Sequence, residues 1–189
     1  MKSKPTRTLT AATVFAAVAV FASPAEARPQ GNVGLTLGVA ELGRRDDPFG
    51  KLHFSMGGRG DVLFFRERNA DWGAGPYAEV LTTSFDDLQL GAGLSALVPV
   101  HDYLPIVVSG GAYGRHTDLG WEPGVAASVF WGTRSYNYHA SYGLTAGLLL
   151  QGRYGLGDSR ETAVILAGQI DLALIGLPFL MAYEAIRPR

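Results

Sequence analysis

The pairing in this 189-residue chain that could carry covalent chemistry is Tyr138-His139-Ala140-Ser141-Tyr142. Residues two apart on an extended strand project from one face, so the His139 imidazole could take the Ser141 proton and ready that oxygen for acyl transfer. Further polar residues fall in phase with one another: His53, Arg59 and Asp61, then Glu79, then His139 with Arg153, then Gln169 with Asp171. If their strands enclose a common interior, these charges must pair, because an unpartnered buried charge is very costly. The chemistry expected of that set is mutual neutralisation in a packed polar network. With no cysteine in the chain, disulfides, zinc–thiolate sites, iron–sulfur clusters and thiol nucleophiles are excluded. His53, His101, His116 and His139 show no metal-ligand spacing, and no metal or cofactor is expected.

Three other motifs fit architecture better than ligand binding. Gly91-Ala92-Gly93-Leu94-Ser95-Ala96 has the glycine spacing of a phosphate loop, but no helix is expected after it, and strand glycines account for it. Arg59-Gly60-Asp61 spells an adhesion tripeptide in mid-strand, out of a partner's reach. Asp46-Asp47 and Asp86-Asp87 read as solvated loop tips, since a calcium site needs about six or more oxygens.

The elements that position these residues begin after an export segment. Lys2, Lys4 and Arg7 precede the apolar stretch Leu9 to Ala22, and Ser23-Pro24-Ala25-Glu26-Ala27 supplies a helix breaker and the small residues of a cleavage site. Residues 1–27 are expected to be removed by a cut before Arg28, leaving 28–189 as one domain. Sixteen basic against 17 acidic residues give no basic field for nucleic acid. Only 17% of the chain is charged, against roughly 25% in an ordinary soluble domain.

The mature sequence has no apolar run of helical-span length and alternates instead. Val33, Leu35, Leu37 and Val39 alternate with small residues. Leu88, Leu90, Ala92, Leu94 and Ala96 alternate with Gln89, Gly91, Gly93 and Ser95. From Tyr136 to Leu150 the phase holds with one break on the polar face, at Leu149, and Val164, Leu166 and Ile170 alternate with Gln169 and Asp171. Turn residues recur between the runs, including Asp86-Asp87, Arg115-His116-Thr117-Asp118 and Gly132-Thr133-Arg134. The expected strands are 32–42, 51–66, 75–85, 87–99, 104–114, 120–132, 136–153 and 161–175. An even number lets the sheet close, which lipid requires because an open edge would leave backbone groups unpaired.

The polar faces carry mainly glycine, serine, threonine, alanine, asparagine and glutamine, and Lys51 is the only lysine after the export segment. A water-facing surface of that kind would be bare of charge, whereas small residues pack well inside a narrow barrel. The apolar rows are therefore expected outside. Phe64, Phe65, Tyr103, Tyr113, Trp121, Phe130, Trp131, Tyr136, Tyr138 and Tyr154 lie near strand ends and read as interface girdles.

On the export segment, the alternation and the girdles, residues 31–175 resemble the small eight-stranded outer-membrane β-barrel proteins of Gram-negative bacteria. The resemblance implies an up-and-down antiparallel transmembrane barrel with a periplasmic N-terminus and outer-membrane lipid around it. It also implies barrel-assembly and periplasmic chaperone machinery as partners in transit. Residues 176–189 run beyond the expected last strand, as its prolongation or as a short interfacial helix. The His-x-Ser spacing resembles the active strand of outer-membrane lipid A deacylases, which implies His139 as base and Ser141 as nucleophile. Leu148 to Gly157, where those enzymes carry an acidic orienting residue, holds no carboxylate. A structural or interaction role with a filled polar interior and no wide pore is expected. A membrane hydrolase is the alternative, and a periplasmic barrel around an apolar ligand the third reading.

Overall fold

The computed structural model describes residues 29–44, 47–117, 120–135 and 142–186. The expected export segment lies outside the described residues. Eight strands follow: β1 (Gln30–Arg44), β2 (Asp47–Leu63), β3 (Gly73–Thr83), β4 (Leu88–Val98), β5 (Ile106–Thr117), β6 (Gly120–Arg134), β7 (Thr145–Gly155) and β8 (Glu161–Asp171). A helix, α1 (Leu172–Ile186), continues from β8. Each strand pairs antiparallel with its sequence neighbours, and β1 also pairs with β8, closing an up-and-down barrel. One end carries the connections 45–46, 84–87, 118–119 and 156–160 and is called the hairpin end. The other carries the chain ends of the barrel and the longer connections 64–72, 99–105 and 135–144, and is called the terminal end.

Burial follows the alternation with the apolar rows outside. Leu94 is 60% exposed on the outer wall, whereas Arg59 is only 5% exposed in the interior. Val33, Leu37, Val125, Val129, Leu148, Leu150, Leu166 and Ile170 all project outward, while Asn32, Ser95, Ser109, Ser128, Gln151 and Gln169 are buried. Soluble barrels and sandwiches have the reverse arrangement.

The interior is not uniformly polar. Ala40, Leu81, Ala163, Ile165 and Ala167 form one apolar cluster toward the hairpin end, joined by Leu42. Leu63, Leu97, Val107, Phe130 and Leu149 form another toward the terminal end. Leu149, the break in the alternation, is thus an interior residue of the second cluster. Phe130 and Tyr113, expected in the girdles, are also buried inside. Each lies in the inward phase of its strand, and glycines make the room: a Cβ on Gly124 would run into the Tyr113 ring. Trp121, Trp131, Tyr103 and Phe65 are exposed near strand ends, as expected. Tyr136 and Tyr138 lie outside the described residues.

The expected bounds need correction at three strands. Strand two, expected over 51–66, runs Asp47–Leu63, so Asp47, read as a loop tip, is a strand residue. Strand seven, expected from 136, begins among the described residues at Thr145, where β6 ends opposite it at Arg134; residues 136–141 lie outside the described residues. Strand eight, expected to run to 175, stops at Asp171. Beyond that residue apolar side chains come consecutively, Leu172-Ala173-Leu174-Ile175, and the good helix formers leucine and alanine take over. Asp171 starts the helix, its Oδ1 accepting the backbone N–H of Ala173 at 2.7 Å as an N-cap does.

This early exit leaves an edge. The β1–β8 ladder begins at the pair Gly34 and Asp171, so Gln30 to Val33 extend past the end of β8. The segment before β7 covers them: Tyr142 bridges Gly31, and the Gly143 N–H donates to the Gly31 carbonyl at 3.0 Å. An unpaired strand edge is thereby blunted.

Candidate functional site

The polar interior centres on Glu79. Register puts it directly opposite Arg59 on β2 and opposite Gly91 on β4. Arg59 Nη1 donates to Glu79 Oε2 at 3.2 Å, while across the lumen Arg153 Nη2 reaches Oε1 at 2.6 Å. Gln151 Nε2 donates to both carboxylate oxygens, at 2.9 and 3.1 Å. The absence of a side chain at Gly91 admits this carboxylate, for a Cβ there would stand 2.8 Å from Glu79 Oε1. Arg59 also reaches the hydroxyls of Ser109 at 2.6 Å and Ser128 at 3.3 Å, which joins β2 to β5 and β6. Its guanidinium lies 4.0 Å from the centre of the Tyr77 ring, and that of Arg153 lies 4.8 Å from the Tyr113 ring. Such stacking satisfies the flat faces of cations whose edges are hydrogen-bonded.

From this centre the contacts run to the hairpin rim. Arg153 donates to the Gln89 Oε1, and Gln89 Nε2 donates to Asp87 Oδ2 at 2.7 Å. Asp87 accepts Arg115 Nε at 2.7 Å, and Arg115 pairs in turn with Glu161. Three arginines thus meet three carboxylates. The contacts described between these carboxylates each pass through an arginine, which keeps its proton in a protein. The arrangement can neutralise the interior charges and brace the lumen.

A second cluster sits toward the terminal end. Asp61 pairs with Arg134 and accepts Asn32 Nδ2 at 2.9 Å. Nearby, Asp171 is fully buried at 0% exposure, and the Tyr142 hydroxyl donates to its Oδ1 at 2.7 Å.

Of the residues singled out in sequence, Arg59, Glu79 and Arg153 come together. Asp61 belongs to the second cluster, and Asp171 to the join between barrel and helix. Gln169 is buried, with its side chain beside Gly34. His53 is half-buried near the hairpin end, 3.1 Å from the Ser84 hydroxyl, away from Glu79. His139 and Ser141, the candidate base and nucleophile, lie outside the described residues.

Several members depart from their sequence expectation. Asp87, expected at a solvated tip, is 7% exposed and also accepts the backbone N–H of Thr83 at 2.7 Å. Arg115 and Arg134, read as turn residues, are strand residues that turn inward. Gln89 and Gln151 stood on the recognised polar faces, and that phase was the signal that could have added them. Tyr77 carried no such signal, because Pro76 blurred the alternation of its strand.

Compared with known proteins, the chain matches no family model. No curated protein matches it either.

Proposed function

We propose that the chain is a β-barrel of an outer membrane, exported by its leading segment. Its lumen is closed by its own side chains, and its role is structural or interaction-based. The observation that carries this reading is the inverted wall, with leucine and valine outside and an arginine–carboxylate network inside. In water that outer surface would be an apolar patch far larger than soluble monomers tolerate; in hydrocarbon it is the required surface. Outer-membrane lipid is then the surroundings of the strands, with barrel-assembly and periplasmic chaperone machinery as partners in transit.

A wide pore does not suit eight strands filled in this way. The charged filling likewise favours a brace over a carrier for an apolar ligand.

The test is expression with the leading segment intact, followed by fractionation. The protein should sediment with outer membranes, resist alkaline carbonate extraction, and migrate differently folded and boiled on a gel. Recovery in the soluble fraction without detergent would sink the reading.

A further inference from the structure

The least explained part of the molecule is α1. Its segment Leu172–Ile186 holds one charged residue, Glu184. Successive helical residues advance by about 100°, so Leu172, Ala173, Leu174 and Ile175 sample every side of the helix, and all four are exposed. Farther along, Phe179 is 74% exposed and Ile186 81%. A helix apolar all round is stable only where apolar surroundings cover it, whereas a helix lying on a membrane surface needs a polar face.

We propose that α1 is buried in the hydrocarbon of one membrane leaflet, at the terminal rim of the barrel. The inference rests on the membrane reading above and adds to it a second element in lipid. Three observations select lipid over a protein partner. A partner or a second copy covers one face, while exposed apolar side chains point to all sides. The helix continues the lipid-facing wall, since outward Ile170 is followed by Leu172. Its start is held at the rim, because Asp171 accepts both Ala173 N–H and the Tyr142 hydroxyl. At about 1.5 Å per residue, 15 residues reach roughly 22 Å, too short to cross, and no helix among the described residues is long and apolar enough to span.

The chain has no native cysteine, so single cysteines report without background. Leu174→Cys, Leu177→Cys, Phe179→Cys and Met181→Cys would each carry a nitrobenzoxadiazole dye. Leu94→Cys and Val129→Cys mark the wall, and Asp158→Cys marks the exposed hairpin turn. Each full-length variant is refolded into phosphatidylcholine vesicles and quenched in turn by acyl-chain spin-labelled lipid and by aqueous iodide. The expected result is quenching by the lipid label at all four helix positions, at least twofold above Asp158→Cys, with iodide protection to match the wall. Lipid quenching at the wall with iodide quenching along the helix overturns the inference and leaves the barrel reading standing. Protection confined to one helical face also overturns it and assigns that face to a surface or a partner. Loss of lipid quenching at the wall removes the membrane reading, and the inference with it.

Discussion

Two layers stacked in one barrel are held together by opposite means. Around Glu79, side chains from β2, β3 and β7 meet through charged hydrogen bonds. Toward the terminal end, Leu63, Leu97, Val107, Phe130 and Leu149 fill the same narrow lumen without a polar atom among their side chains. The charged layer is specific: each cation has a donor geometry to meet, and removal of one partner strands the others in a buried site. The apolar layer is held by volume, and its loss scales with the space left behind. A barrel of this width is therefore closed by whatever fills it, and polarity decides how a defect is felt.

The contrast is broken most directly at Glu79. Replacing it by alanine leaves Arg59 and Arg153 facing each other without their shared carboxylate, and should cost about 3–5 kcal/mol in urea unfolding of the detergent-solubilised barrel. A loss under about 1 kcal/mol would mean that water enters the layer and screens it. Replacing Arg59, Glu79 and Arg153 together by leucine or methionine should cost less than Glu79→Ala alone, because no charge is then left at the Glu79 centre, and Arg115 still bridges Asp87 and Glu161 at the rim. Phe130→Ala should follow closely, at about 3–4 kcal/mol for cavity and lost transfer energy, with no comparable rescue by a second substitution. If the triple replacement proves no milder than the single one, the two layers obey the same rule and the distinction fails.

The same distinction explains what the sequence disclosed. Period-two alternation reports which face a residue occupies, and it located Arg59, Glu79 and Arg153 on the enclosed side. It is silent on what fills that side, so Leu149 looked like an error of phase and Phe130 like part of a girdle. Alternation also weakens at strand ends, where Asp87, Arg115 and Arg134 carry the composition of turns yet point inward. The end of β8 was hidden because leucines suit an outer wall and a helix alike; what separates them is a change from alternating to consecutive apolar residues at Leu172. The pairing of β2 with β3, which brings Arg59 opposite Glu79, is set by long-range register and has no local signature.

A smaller effect tests how tightly the charged layer is fitted. Gly91→Ala would put a methyl 2.8 Å from Glu79 Oε1, and should cost about 1–3 kcal/mol by overpacking. In a Glu79→Ala background the same substitution should be close to neutral, and a double-mutant cycle measures the difference. At the terminal rim, Tyr142→Phe removes one of two donors to Asp171 Oδ1, and about 1–2 kcal/mol is expected from a buried acceptor left short of a partner. Hydrogen exchange should then rise first in Ala173 and its neighbours, because the cap of α1 loosens before the barrel opens.

The connection between β7 and β8 should be the least sensitive place of all. Ser159, in that connection, donates its backbone N–H to Glu122 Oε1 at 3.0 Å and its hydroxyl to Oε2, tying the connection to the start of β6. These are charge-assisted bonds like those around Glu79, so their geometry alone would forecast a comparable loss. Solvent changes the outcome: Glu122 and Ser159 are only half-buried, and water can replace the hydroxyl that Ser159→Ala deletes. The expected shift in unfolding free energy is within about 0.5 kcal/mol. A loss as large as that of Tyr142→Phe would show that the contact itself, and not its removal from water, sets the energy of the interior network.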